Sequence, residues 1–410
     1  MKQPPSTSMR AVGVLIANSV FTSVGFFMIF PLISVRFTGQ LGISAGVVGT
    51  ALAVRILCQQ GLTMFGGAAA DQIGHKPMIA LGMAIRAAGF FVWGFADSEA
   101  GLFLGAALSG LGGMLFDAPS RAGIAFYTAP GADRQRAFAL SNMAGSIGST
   151  IGPLVGVLLL PYDFKVIGLV SGAFFVLISV QSWLLLPSVP RPGGRSVKLS
   201  ESLSALREAA SDRKFVRFTA ALTTHWFLYN QLFIAVPLAA VAVTGDPATP
   251  GVIYALAAGM GIVLQYPVAR FVAHSIPPFI AIAAGLLLMG GGLMLFGLSS
   301  ELSIMLGCIA LYGLGRLIVD PVQLNLVSEI APPGKMGAYI GFSMLAFAVG
   351  GSLGNALGGA LYDLSLAVGF PPLIWLVMGA VSLCGSAAMV HLRTEFQPTH
   401  RTTATSNSVK

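Results

Sequence analysis

Runs of about 20 apolar residues recur from one end of the chain to the other, each long enough to cross a bilayer as a helix. No water reaches the backbone in hydrocarbon, so a spanning segment must bond its own amides as a helix or join a closed barrel. A barrel would show segments of about ten residues alternating apolar and polar, and that alternation is absent. Of 410 residues, 55% are hydrophobic and 9% charged, against about a quarter charged in a soluble domain. The expectation is an all-α membrane protein with twelve transmembrane helices.

Six spans are read in the first half, at Met9–Phe37, Gly46–Ala68, Pro77–Ala96, Gly101–Tyr127, Ala137–Leu160 and Val166–Leu186. Six follow in the second, at Phe215–Val243, Gly251–Ala273, Pro277–Leu298, Leu302–Val327, Met336–Leu361 and Phe370–His391. The N-terminal tail is too short, and too soon followed by a full span, to read as a cleaved signal peptide. The one long polar stretch, Pro187–Lys214, starts Pro/Gly-rich and then spaces Leu199, Leu203 and Leu206 as on a short amphipathic helix over Leu199–Ala210. The expected organisation is a six-helix bundle over 1–187, a cytoplasmic linker over 188–214, and a second bundle with a cytoplasmic tail over 215–410.

The net charge of +8 is an orientation signal. With the N-terminus inside, the cytoplasmic loops collect most of the basic residues, Lys76, Arg134, Arg136, Arg213 and Lys335 among them, and the outside receives only Arg36 and Lys165. Both termini are therefore expected in the cytoplasm. No soluble domain exists to bind nucleic acid. Cys58, Cys308 and Cys384 all fall inside spans and indicate neither a disulfide framework nor a metal site.

The halves repeat. "GLGGMLFDAP" at Gly110–Pro119 returns as "GLGRLIVDP" at Gly313–Pro321, with Asp117 and Asp320 offset by 320 − 117 = 203. At that offset Gly112 matches Gly315, Gly131 matches Gly334, Gly148 matches Gly351 and Gly156 matches Gly359. Repeats of six spans that rock about a central site are a mark of secondary transporters.

Between spans 2 and 3 lies "GAAADQIGHKP", Gly67–Pro77. It resembles the signature loop of the major facilitator superfamily. Gly67, Asp71, Gly74 and Lys76 match, while Gln72 and His75 replace expected arginines. The resemblance implies two pseudo-symmetric six-helix bundles and a cytoplasmic gate at this loop, made more pH-sensitive by His75. Span 5 holds "GSIGSTIGPLVG", Gly145–Gly156. Its Gly148, Gly152 and Gly156 share one face and open it to another helix, and Pro153 adds a hinge. This is similar to the motif of the drug–proton antiporters in the superfamily, with which Gly145 also aligns. More narrowly, "FMIFPLISVRF", "QQG", "FGGAAAD", "MAIRAAGF" and "LSGLGGMLFD" resemble MdtH-type bacterial multidrug-resistance transporters. The resemblance implies export of amphipathic drugs across the bacterial cytoplasmic (inner) membrane by alternating access, in exchange for protons. It implies a monomer in the lipid bilayer, with a small-molecule substrate, protons as partners, and no cofactor or metal.

An acid within an apolar run is a functional candidate whose partner must be named. Asp117 is read as a gate charge paired with Arg121 or with the His75/Lys76 loop, or as a proton carrier that opens that gate. Asp320 is its counterpart, with Arg270 as the expected partner. Spans 1, 4, 7 and 10 line the cavity in this superfamily. That assigns Asn18 and Thr22 on span 1, and His225, Trp226 and Tyr229 on span 7, to the substrate site. His225 also reads as a hydrogen-bonded structural residue. Arg55 and Gln59 share a face of span 2; there Arg55 either bonds amides and carbonyls or meets an acidic or zwitterionic substrate. Many antiporters of the group carry an acid in span 1 and an Arg in span 4. Here span 1 has no acid, and the span-4 position holds Ala106. That absence keeps open a metabolite or sugar exporter, or a uniporter, without proton coupling. A non-transporting receptor or scaffold is the remaining alternative; an intramembrane enzyme would need clustered catalytic groups that the sequence lacks.

Overall fold

A computed structural model describes residues 5–63, 66, 69, 72–129, 131–187, 207–332 and 335–396, and no strand occurs among them. The first six helices are α1 (Pro5–Ser34, prolonged as a π-helix over Val35–Gln40), α2 (Ala45–Ile56, prolonged as a π-helix over Leu57–Gly61), α3 (His75–Phe95), α4 (Glu99–Tyr127), α5 (Ala132–Leu159) and α6 (Phe164–Leu185). The last six are α7 (Arg213–Asn230, a 3-10 turn at Gln231–Phe233, then Ala235–Thr244), α8 (Thr249–Ser275), α9 (Pro278–Phe296), α10 (Leu302–Ile330), α11 (Met336–Ala367) and α12 (Leu373–Phe396). Eleven helices are long and apolar enough to cross a membrane on the described residues alone. The other expected span is α2 with its π-helical extension; Gly67, Ala68 and Asp71, beyond it, lie outside the described residues. Of the expected amphipathic helix in the linker, only 207–210 falls in the described part, and it is helical.

Helix starts carry the caps their sequences offer. Ser44, Ser98, Asp163 and Asp212 each accept from a backbone N–H two or three residues on, which satisfies amides that a helix leaves free. Gly74 enters α3 at φ 104°, a left-handed conformation that a Cβ would strain. Span 7, expected as one uninterrupted helix, is broken. Buried Gln231 covers the break, its Nε2 donating to Phe227 O at 3.1 Å and Gly354 O at 2.9 Å, and Tyr254 OH donates to Leu232 O. Backbone carbonyls freed inside a membrane need such partners.

The two halves pack alike. In the first, α1 lies against α5 and α6, α3 against α4 and α6, and α2 against α4. In the second, α7 lies against α11 and α12, α9 against α10 and α12, and α8 against α10. The 203-residue offset holds at the contacts. A Cβ at Gly89 would meet Ser109 N at 2.6 Å and Gly105 O at 2.9 Å; one at Gly292 would meet Tyr312 N and Cys308 O, both at 2.7 Å, and 292 − 89, 312 − 109 and 308 − 105 each equal 203.

Along α11 the register slips by one. Gly148 and Gly152 of α5 sit on Val20 O and Val24 O of α1, where a Cβ would stand 2.5 and 2.8 Å away, and Gly156 sits on Met28 O. The α7 residues equivalent to Val20 and Val24 are Thr223 and Phe227, and the glycines over their carbonyls are Gly350 and Gly354. The match of Gly148 with Gly351 and of Gly156 with Gly359 is therefore one residue out in packing terms. Gly359 faces Ala45 of α2 instead. Gly145 stands at the looser edge of the α5 face, with Ser23 Oγ 3.5 Å from a Cβ position.

Overpacking costs about 1–3 kcal/mol, so Gly89→Ala and Gly292→Ala are expected to lower stability by similar amounts in detergent thermal unfolding. Gly259→Ala and Gly307→Ala, where a Cβ would meet nothing within 4 Å, are expected to stay within about 0.5 kcal/mol of the parent.

Candidate functional site

A cavity of about 640 Å³ lies between the halves, lined from α2, α4, α7, α10 and α11. It runs from Tyr229 at mid-depth to Val327 and Gly337, near the end of the bundle where α1 begins and α12 finishes, here the proximal end. A second cavity, of about 230 Å³, opens off it among α1, α2, α3 and α7. Gln60, Asp117, Tyr229 and Phe347 line both.

On the α10 wall, Asp320 is held from two sides. His225 Nε2 donates to Oδ1 at 3.0 Å, and Arg316 Nε donates to Oδ2 at 3.1 Å from one turn earlier. The carboxylate and the guanidinium are each about a third exposed to the cavity, at 30% and 33%, and the His225 side chain is fully buried. Arg316 also lies 4.9 Å over the Tyr229 ring. Charge-assisted bonds of this kind are the strong ones, and both fix the carboxylate against the wall.

The α4 wall is built differently. Asp117 Oδ2 accepts from Gln59 Nε2 at 2.8 Å, and Gln59 Oε1 accepts from Arg55 Nη1 at 2.7 Å. Gln59 is the link because Gly113, equivalent to Arg316 (316 − 113 = 203), leaves room for it: a Cβ at Gly113 would stand 2.8 Å from the Gln59 amide carbon. The π-helical Leu57–Gly61 turn carries Gln59 and Gln60, both of which line the smaller cavity. π-Bulges of this kind are frequent at functional sites.

Several expected pairings are corrected by this geometry. Asp117 is bonded neither to Arg121, exposed in the larger cavity, nor to His75 or Lys76; the amide of Gln59 reaches it first. The His75 ring lies tilted at 51° to that of Phe126, and Lys76 lies over Trp183. Asp320 pairs with His225 and Arg316 and not with Arg270, which is exposed and whose carbonyl accepts from His274 Nδ1. Asn18 leaves the cavity altogether: it is buried and donates to Ser182 of α6 at 2.9 Å. Thr22, Trp226 and Tyr229 do line cavities, and His225 stands behind Asp320. Gly67 and Asp71 lie outside the described residues. Gly74 caps α3, the glycine face belongs to the α1–α5 contact, and the Pro153 carbonyl lies 3.4 Å from a Cβ position at Gly251 of α8. The Arg316–Asp320 pair was readable from its i, i+4 spacing. Asp363 was missed, since it reads as an ordinary acid near a span end.

Asp363, on α11 at the other, distal end, reaches across the halves. Its two carboxylate oxygens accept from Ala45 N at 3.0 Å and Gly46 N at 2.8 Å, the first amides of α2. Gly49 and Gly359 bring α2 and α11 into backbone contact beside it, and Gly251 of α8 meets Val157 of α5. Among the described residues, hydrogen bonds between the halves run only from α2 to α11, at these amides and from Ser352 Oγ to Ala53 O at 3.3 Å. The bundle is thus sealed distally and hollow proximally.

Known proteins match this chain along nearly all its length. The family model of the Major Facilitator Superfamily matches residues 15–355. The multidrug resistance protein MdtH of Yersinia pestis (strain Pestoides F) is 38% identical over 375 residues, 92% of each chain. The protein of the same name from Yersinia pseudotuberculosis serotype O:1b (strain IP 31758) matches equally, at 38% over 92% of each. Among solved structures, the nucleoside transporter NupG superposes with a TM-score of 0.79 at 15% identity, covering 93% of this chain and 99% of its own. A POT family transporter in complex with 5-aminolevulinic acid gives 0.77 at 14% identity, covering 94% and 96%. At these identities the structures speak to the fold.

Asp363→Ala removes two charge-assisted bonds to a helix N-terminus, each worth about 1.5–3 kcal/mol where no other group takes its place. Loss of about 1.4 kcal/mol is tenfold in an equilibrium. Labelling of a cysteine placed at Gln323, by an impermeant maleimide added from the distal side, is expected to rise at least about tenfold in the variant. Cys58, Cys308 and Cys384 are replaced beforehand.

Proposed function

The chain belongs to the major facilitator superfamily, and we propose that it is a secondary active exporter of amphipathic drugs and related small molecules, driven by exchange for protons across a bacterial cytoplasmic membrane. The observation that carries this reading is a cavity between two like halves that is sealed distally by α2–α11 and α5–α8 and extends proximally beside two acidic side chains. A transporter that rocks about a central site needs one sealed end and one open end, exchanged during the cycle. The likeness to proteins named for multidrug resistance supports drug efflux, and the mixed aromatic and charged lining of the cavity suits amphipathic cargo.

The basic loops orient the molecule. The proximal end bears Lys76, Arg134, Arg136, Arg213 and Lys335, and this basic bias supports a cytoplasmic side for that end and for both termini. The structure is then inward-facing. Residues 1–187 and 215–410 act as the two moving bodies, in a chain that works as a monomer. A cysteine at Asp246 is expected to react with an impermeant maleimide from outside, and one at Lys335 is not.

For proton exchange, Asp320 is the better placed of the two acids. It sits at the cavity wall with a titratable imidazole and a guanidinium as its partners, and a proton on the carboxyl would free Arg316 to move or to meet cargo. Among the described residues Asp117 is hydrogen-bonded only to a neutral amide, and it serves as the secondary charge. In proteoliposomes, Asp320→Asn is expected to reduce pH-gradient-driven uphill transport by roughly an order of magnitude or more while downhill counterflow of labelled drug persists. Asp117→Asn is expected to have the smaller effect on uphill transport. Uphill transport that is fully retained in both variants would favour a carrier without proton coupling, and a parent protein showing no counterflow at all would remove the exporter reading.

A further inference from the structure

We propose that the 230 Å³ side cavity is an anion site, and that cargo enters it carboxylate first, held by Arg55 and Arg86 with its body extending into the larger cavity. This rests on the exporter reading for its role in transport but not for its binding chemistry.

Arg86 is 3% exposed and Arg55 6% exposed, and both line the same cavity. Among the described residues no hydrogen-bond acceptor reaches Arg86; its guanidinium carbon lies 5.2 Å from the ring centres of Phe26 and of Phe175. Arg55 spends one N–H on Gln59, lies over Phe26 and Phe30 at 5.0 and 4.7 Å, and leaves its Nε without a partner. Asp117 is the one acid on this lining and touches neither guanidinium directly, so two buried cations share one carboxylate. A charge held away from water needs a partner of opposite sign. The cavity is one negative charge short.

Packing does not require these cations. The internal repeat places Ala258 at the position of Arg55 (258 − 55 = 203) and Met289 at that of Arg86 (289 − 86 = 203), and α9 packs on α10 there as α3 packs on α4. The same architecture is built in the second half with neutral side chains. The arginines are an addition to the first half alone.

The walls define the anion. Phe26, Phe27, Phe30, Phe233 and Phe347 line the cavity with the guanidiniums, which favours an aryl carboxylate over a small hydrated ion. A planar guanidinium binds a carboxylate through two parallel N–H bonds, and stacking on Phe26 holds both forks in place. The shared lining of Gln60, Asp117, Tyr229 and Phe347 lets one molecule occupy both cavities.

The test compares naphthoate with naphthamide, equal in shape and differing in charge, by calorimetry on the purified full chain. The parent protein is expected to bind naphthoate at least about tenfold more tightly, the worth of one charge-assisted bond. Arg86→Met, the side chain of the repeat, is expected to bring naphthoate down to the level of naphthamide, and Arg86→Lys to keep part of the preference. Thermal unfolding of each variant reports whether it is folded; Arg55→Gln supplies a second variant should Arg86→Met fail that check. Equal affinities in the parent, no binding of either probe, or a preference that survives both neutral variants would overturn the anion site. Displacement by chloride without any preference for naphthoate would also overturn it, by assigning the charge to an inorganic ion. Transport is scored separately by counterflow. Selective naphthoate binding without counterflow would leave the anion site standing and remove the exporter reading.

Discussion

Backbone meeting backbone at glycine is the constraint on which this molecule rests. Lipid offers a helix no hydrophobic reason to leave it for another helix, so association depends on close packing and small residues. Gly148 and Gly152 on α1, Gly350 and Gly354 on α7, and Gly82, Gly89, Gly285 and Gly292 in the α3–α4 and α9–α10 pairs all place a Cα over a neighbouring carbonyl or amide. These contacts pack the helices of each half closely against one another. The same device joins the halves at Gly49 and Gly359, and there it is confined to the distal end.

Within that shared frame the halves have diverged at the positions that face each other. Thr22 stands where the other half has His225, Phe26 where it has Tyr229, and Gly113 where it has Arg316, each 203 residues apart. In the second half the three larger side chains close around Asp320. In the first half the smaller ones leave a hollow, and Arg55, Gln59 and Arg86 from neighbouring helices fill its edge. One shared layout thus yields a charged pair on one side of the cavity and a lined recess on the other. Tyr229, between them, belongs to both.

The fold was legible because its signal is long-range and redundant: twelve apolar runs, an internal repeat and a basic bias in alternate loops each point the same way. The breaks were not. Nothing in the apolar run around Gln231 distinguishes a 3-10 turn from a continuous helix, since the Gln231 amide that supports the break makes its bonds 123 positions away as well as locally. Candidate site residues were legible by type and depth, and partners were not. Sequence alone offers Asp117 the cations Arg121 or His75/Lys76, whereas α2 supplies an amide from 58 positions away. Membership of a cavity-lining span assigns Asn18 to the cavity together with Thr22, and its helix face turns it to α6. Facing is set by helix rotation, and a π-turn such as Leu57–Gly61 resets that rotation without a sequence mark.

That turn gives α2 two mechanical parts. Distal to it, Gly46 and Gly49 are clamped to the opposite half; within it, Gln59 ties the helix to Asp117 of its own half. A π-turn holds one residue more than an α-turn, and one residue is about 100° of azimuth. The stored residue is slack in a tether. Drawing it out would let the distal stretch of α2 swing or lengthen while its proximal stretch keeps its grip, and would carry Gln59 out of line between Arg55 and Asp117. The distal seal at Ala45 and Gly46 and the Arg55–Gln59–Asp117 hydrogen-bond chain are therefore carried by one helix, with the π-turn between the first and the last of their contacts.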